Sequence, residues 1–144
     1  MKKALIFTVA LVTIPFLTGC GKETLTCTIS KKQSGITMNQ EVVAVFNNNE
    51  VTNIDMKINV KLDDAYKSYI DTYKTALESQ YKTFTNNGGE VKIDKNKENG
   101  FDVKINLDLK KMTKEQKSKL QLSDTYGTKD ATAKKLKEQG YTCK

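Results

Sequence analysis

Val51-Thr52-Asn53-Ile54-Asp55-Met56-Lys57-Ile58-Asn59-Val60-Lys61-Leu62 runs directly into Asp63-Asp64-Ala65-Tyr66, and the apolar period changes at that junction. Before it, Ile54, Met56, Ile58, Val60 and Leu62 alternate with Asp55, Lys57, Asn59 and Lys61. A period of two with one polar side is the mark of a strand in an antiparallel sheet covered on one face only. After it, Tyr66, Tyr69, Ile70, Tyr73, Ala76, Leu77, Tyr81 and Phe84 recur at spacings of three and four. That is one stripe of an amphipathic helix, predicted over 63–86. Asp63 is the expected N-cap, with Asp64 favoured by the helix dipole, and Gly88-Gly89 is the expected stop.

Working outward, Leu25, Cys27 and Ile29 alternate with Thr24, Thr26, Thr28 and Ser30, which predicts a first strand over 24–30. Lys31 to Gly35 reads as a turn. The β-branched run 37–46 reads as a second strand, and Asn47-Asn48-Asn49 as a tight hairpin, since asparagine tolerates positive φ. Downstream, Val91 and Ile93 mark a short strand. Phe101, Val103, Ile105, Leu107 and Leu109 mark a longer one after a turn through Asn99-Gly100. Short helices are predicted over 113–120 and 129–139, the second capped by Thr128 and stopped by Gly140, with Tyr141-Thr142-Cys143 closing the chain. The predicted fold class is α+β. An antiparallel sheet carries one long helix, on its third and fifth strands, and one or two short helices, all on one face: a two-layer sandwich.

Composition narrows the chemistry. The 144 residues carry 24 basic and 17 acidic side chains, and every basic one is lysine. There is no arginine, histidine or tryptophan. Histidine-based catalytic arrangements and histidine-ligated metals are excluded. Without arginine forks, specific nucleic-acid recognition is not expected. No cofactor, metal site or enzymatic activity is expected. Abundant Lys, Asn and Ile without Arg or Trp resembles a low-GC Gram-positive composition.

The N-terminus opens Met1-Lys2-Lys3, continues as an apolar run interrupted by Pro15, and ends Leu17-Thr18-Gly19-Cys20. A spanning helix needs about 20 apolar residues, and this run is shorter. A charged head, a short apolar body and small residues mark a signal peptide. The Leu-x-Gly-Cys order resembles the lipobox of a bacterial lipoprotein. The resemblance implies cleavage between Gly19 and Cys20, and diacylglycerol on the Cys20 sulfur. It implies localisation at the outer, extracytoplasmic face of the cell membrane. The organisation is then signal peptide 1–19, lipidated tether 20–23 and a single α+β domain over 24–144.

Two cysteines remain for the folded body, in a compartment that permits disulfides. The expected pair is Cys27–Cys143, joining the first strand to the end of the chain. Free redox thiols are the rival reading, but no Cys-x-x-Cys is present. The lipobox, Leu25-Thr26-Cys27-Thr28 and the ending Leu136 to Gly140-Tyr141-Thr142-Cys143-Lys144 together resemble the small YehR-like bacterial lipoproteins. That resemblance implies an α+β lipoprotein and supplies no catalytic residue.

Charge is uneven. Residues 20–109 hold 12 lysines and 13 acids, whereas 110–144 hold 10 lysines and 4 acids. Lys110, Lys111, Lys114, Lys117 and Lys119 form one cluster; Lys129, Lys134, Lys135 and Lys137 form another. They are candidates for binding an anionic surface, either lipid headgroups or wall polymer, against the plain reading of a solvated helix face. Tyr66, Tyr69, Tyr73 and Tyr81 are candidates for stacking on a ligand, against the plain reading of core and boundary. Asp94 to Gly100 places oxygens at alternating positions, as a calcium loop does. Its glycine falls one place late and Ile105 stands where a glutamate ligand is needed, so it reads as a solvated hairpin. Asp63-Asp64 reads as helix capping rather than as an acid–base pair. The functional expectation is a non-enzymatic binding or structural module of the cell envelope. The alternative is a solute- or glycan-capturing lipoprotein that uses the tyrosine-rich helix.

Overall fold

A computed structural model describes residues 21–97, 99–122 and 126–144. The expected signal peptide 1–19, with Gly19, and Cys20 lie outside the described residues. The domain is an α+β two-layer sandwich. The strands are β1 (Lys22–Gln33), β2 (Ile36–Asn47), β3 (Glu50–Leu62), β4 (Glu90–Lys95), β5 (Gly100–Asp108) and β6 (Thr142–Cys143). They form one antiparallel sheet in the order β4-β5-β3-β2-β1-β6. The helices are α1 (Ile70–Asn86), α2 (Lys114–Lys119) and α3 (Lys129–Glu138).

The first hairpin is longer than its apolar pattern suggests. Register extends to Gln33↔Ile36 because Ser34 and Gly35 alone make the turn, both with positive φ. Lys31 and Lys32, expected in a turn, are exposed strand residues, so no apolar alternation betrays them. Asn48 and Asn49 make the second two-residue turn in the same way.

The even residues of β2 and β3 share one face with Leu25 and Cys27 of β1 and with the odd residues of β5. That face is the core: Phe46, Ile54, Ile58, Phe101, Val103, Ile105 and Leu107 are buried on it. Leu136 of α3 closes the part over β1 and β2, with Leu25, Cys27, Ala44 and Phe46.

The long helical segment departs from expectation at its start. Residues Asp64–Tyr69 form a 3₁₀ helix, and α1 begins only at Ile70. The Asp63 side chain makes no capping bond. Its backbone N–H instead donates to the Gly35 carbonyl (2.8 Å), while the Tyr66 N–H bonds the Asp63 carbonyl three residues back (2.9 Å), which tightens the turn. A methyl on Gly35 would meet the Tyr66 ring at 2.5 Å, so this glycine admits the ring over the hairpin turn. The helix also lies further toward the sheet edge than expected, packing on β4 and β5. Lys95 of β4 ties it down through Asp71 (2.7 Å), whose carboxyl the lysine holds below its ordinary range.

Helix ends follow local rules. At the end of α1, Gly89 N–H bonds the Phe84 carbonyl and Gly88 N–H the Thr85 carbonyl, the Schellman pattern. After α3, Tyr141 and Gly140 repeat it onto Leu136 and Lys137. Thr113 and Gln116 form a capping box on α2. Thr128 caps α3, and buried Thr132 accepts from the Gly127 N–H (3.1 Å).

Candidate functional site

Cys27 and Cys143 are joined by a disulfide between directly paired positions of β1 and β6. On one side, Thr26 and Lys144 exchange both backbone hydrogen bonds (3.3 and 2.9 Å). The cysteines therefore occupy the next, non-hydrogen-bonded position, where facing Cα atoms come closest.

The two lysine clusters separate in space. Lys110 and Lys111 follow Leu109, whose N–H donates to the Thr52 carbonyl near the start of β3 (2.9 Å). Lys111 pairs with Asp108 (3.2 Å), which holds that carboxyl below its ordinary range, and Lys119 pairs with Glu115 (3.2 Å). Lys129 reaches Glu23 of β1 (3.1 Å). Lys134, Lys135 and Lys137 lie along α3, and a shallow surface depression there is lined by Asp130, Ala133, Lys134, Lys137 and Glu138.

The tyrosine stripe also divides. Tyr81 is buried in the core, while Tyr66 and Tyr73 meet edge-to-face (6.2 Å) and pack half-buried against it. Tyr69 is 58% exposed. Two tyrosines that periodicity overlooked, Tyr126 and Tyr141, line a partly open pocket of about 200 Å³ with Gln40, Val42, Met56, Phe84 and Leu136. Burial pushes the phenols of Tyr81, Tyr126 and Tyr141 above their ordinary range; Gln40 partly offsets this at Tyr141 through a hydrogen bond. Tyr126 and Tyr141 stand outside any regular stripe, which is why spacing alone did not reveal them.

The open face of the sheet is polar and carries two depressions. One, about 620 Å³, is lined by Val43, Asp55, Lys57, Glu90, Lys92, Lys104 and Asn106. The other, about 610 Å³, is lined by Thr28, Ser30, Asn39, Glu41, Lys57, Asn59 and Thr142. Lys57 borders both. Register sets Lys92, Lys104 and Lys57 side by side across β4, β5 and β3. Lys57 pairs with Glu41 (3.1 Å) and Lys92 with Asp94 (3.3 Å); Lys104 between them has no partner among the described residues. Neighbouring rows bond internally, Asn59 to Asp102 (2.8 Å) and Ser30 to Asn39 (2.7 Å). The row is invisible in sequence, because it joins residues 12 to 47 positions apart.

Among the described residues, no group of His, Cys, Asp and Glu gathers as a metal site, and no helix is long and apolar enough to cross a membrane. The Asp94–Gly100 segment is the β4–β5 turn, closed by Asn96 N–H on the Gly100 carbonyl (3.0 Å).

No family model and no curated protein matches the chain. A solved structure does: the NMR structure of a protein from Streptococcus pneumoniae TIGR4, with a TM-score of 0.52 and 15% identity. The match covers 100% of this chain and 98% of that one. At that identity the likeness is one of fold.

Proposed function

We propose that this chain is a membrane-anchored extracytoplasmic lipoprotein, and that its domain is a non-enzymatic binding or structural module of the cell envelope. The observation that carries the reading is the fate of the three cysteines. Cys27 and Cys143 complete a disulfide without Cys20, and Cys20 is the residue that ends Leu-x-Gly-Cys. The folded domain starts at once after it: the Gly21 carbonyl accepts from the Asn48 N–H (3.1 Å), and β1 starts at Lys22. Lys22 and Glu23, read from sequence as part of the tether, belong to β1. The YehR-like motifs agree with this reading.

A solute- or glycan-capturing role has less support, since Tyr81 is core, Tyr66 and Tyr73 pack against it, and Tyr69 alone of the stripe's tyrosines is exposed. The non-enzymatic reading rests on the missing histidine and arginine.

Mass spectrometry of the chain from its native membrane tests the proposal. The expected product starts at Cys20 and carries a thioether-linked diacylglycerol. Cys20→Ala is expected to abolish lipidation and leave a chain whose disulfide is intact. An unlipidated Cys20 in the wild-type chain defeats the reading.

A further inference from the structure

The chain enters the sheet at one end, and most of the first lysine cluster lies at that end. Gly21 bonds the β2–β3 turn at Asn48, so the described chain begins beside that turn. Leu109 leaves β5 at the same end through its bond to Thr52, and Lys110 and Lys111 follow directly. Gln116 of α2 packs near Gly88 at the close of α1, which keeps Lys114 and Lys117 with this group. Lys111, Lys119 and Lys129 are neutralised by Asp108, Glu115 and Glu23. Among the described residues, Lys22, Lys110, Lys114 and Lys117 have no ion-pair partner. Among the described residues, Glu50, Glu90 and Asp130 oppose these four as carboxylates at this end without an ion-pair partner.

The second cluster is placed differently. Helix α3 runs alongside β1 from Lys129 at Glu23 to Gly140 near Ile29. Lys137 is about 12 Å of helix rise beyond Lys129. The α3 lysines therefore line a flank that leads away from the point where the chain enters.

We propose that the sheet end bearing Lys22, Lys110, Lys114 and Lys117 docks on anionic lipid headgroups, while Lys134, Lys135 and Lys137 stand off the surface. This rests on the lipoprotein reading of Cys20. An acyl anchor one residue before Gly21 leaves at most about 4 Å of chain per residue between headgroups and protein. The headgroups then meet this end before any other. Each lysine near an anionic leaflet strengthens partitioning by roughly fivefold, and a second attraction beside the anchor fixes orientation as well as attachment. With this end down, the strands run along the membrane normal and the open sheet face, with its lysine row, is presented sideways to the envelope.

The test uses the chain from residue 20 onward with Cys20→Ser, in which the whole described core and the disulfide are retained. Its binding is measured to vesicles of phosphatidylglycerol with phosphatidylcholine, and to phosphatidylcholine alone. Two charge-matched triple variants are compared, Lys110→Glu/Lys114→Glu/Lys117→Glu and Lys134→Glu/Lys135→Glu/Lys137→Glu. Salt-reversible binding to the anionic vesicles is expected, with a loss of at least about tenfold in the first variant and less than about threefold in the second. Equal losses, or no preference for anionic vesicles, overturn the proposal. Tighter binding to poly(glycerol phosphate) than to vesicles assigns the lysines to wall polymer and also overturns it. Should the first variant lose its fold, the Lys→Gln triple replaces it under the same criteria. The mass of Cys20 in the native chain is read separately. An unlipidated Cys20 sinks the anchoring reading, whereas lipidated Cys20 with equal losses sinks only the docking surface.

Discussion

Cys27 and Cys143 face each other across β1 and β6 with Cα atoms 4.0 Å apart, closing a loop with a sequence separation of 116. By chain entropy a loop of that length stabilises the fold by ~5 kcal/mol, and engineered bridges often deliver less. The double replacement Cys27→Ser/Cys143→Ser is expected to cost about 2–5 kcal/mol in denaturant titration. Hydrogen exchange should show β6 and α3 opening first, because β6 holds only two strand residues. Cys20→Ser should leave the denaturation midpoint unchanged; a comparable fall there contradicts the separation of roles.

Gly100 opens β5 where the chain presses on β3. A methyl there would stand 1.7 Å from the Val60 carbonyl oxygen, whereas at Gly127 the nearest atom, Ala131 Cβ, is 3.8 Å away. Gly100→Ala is expected to destabilise by about 1–3 kcal/mol or more through overpacking. Gly127→Ala should stay within about 0.5 kcal/mol of the parent. Thermal unfolding of the two variants side by side checks the contrast.

The buried phenols make stability fall at alkaline pH. Tyr81, Tyr126 and Tyr141 have folded-state pKa values raised above the ordinary 10.0, so the fold holds their protons more tightly than the unfolded chain does. Their contribution is complete below pH 10 and is lost as pH rises beyond it. Ultraviolet titration should show these phenols ionising late, together with unfolding. A single unshifted titration of all six tyrosines contradicts this.

Lys104 stands between Lys57 and Lys92 on the open face, and like charges directly opposite each other destabilise a sheet. Lys104→Thr is expected to stabilise the domain by a few tenths of a kcal/mol up to ~1 kcal/mol at low salt, with the gain shrinking as salt is added. A loss of stability at low salt means that Lys104 is held by attraction rather than repelled.

The alternation of β3, the stripe of α1 and the glycine stops after α1 and α3 follow from short-range rules: pleat period, helix period and the φ that glycine permits. Those rules act within a few residues, so Leu62 next to Asp63 was enough to locate the change from sheet to helix. They also led to Cys20, since the lipobox is a local string. They failed where a neighbour distant in sequence intervened. Gly35 took the Asp63 N–H and turned the expected first helical turn into a 3₁₀ helix. Lys31 and Lys32 joined a strand with no apolar residue to mark it, because β2 supplied the hydrogen bonds.

By itself, the sequence determined the α+β class, the surplus of lysine in the last quarter and the Leu-x-Gly-Cys string that ends at Cys20. Tertiary structure decided which lysines share a surface. Lys110 follows Leu109 at the β2–β3 turn end of the sheet only because β5 returns beside β3, and Lys92, Lys104 and Lys57 form a row only in the register of three strands. The physical reason is that strand pairing is a contact between distant segments, so charge neighbourhoods on a sheet are set by register and not by spacing along the chain.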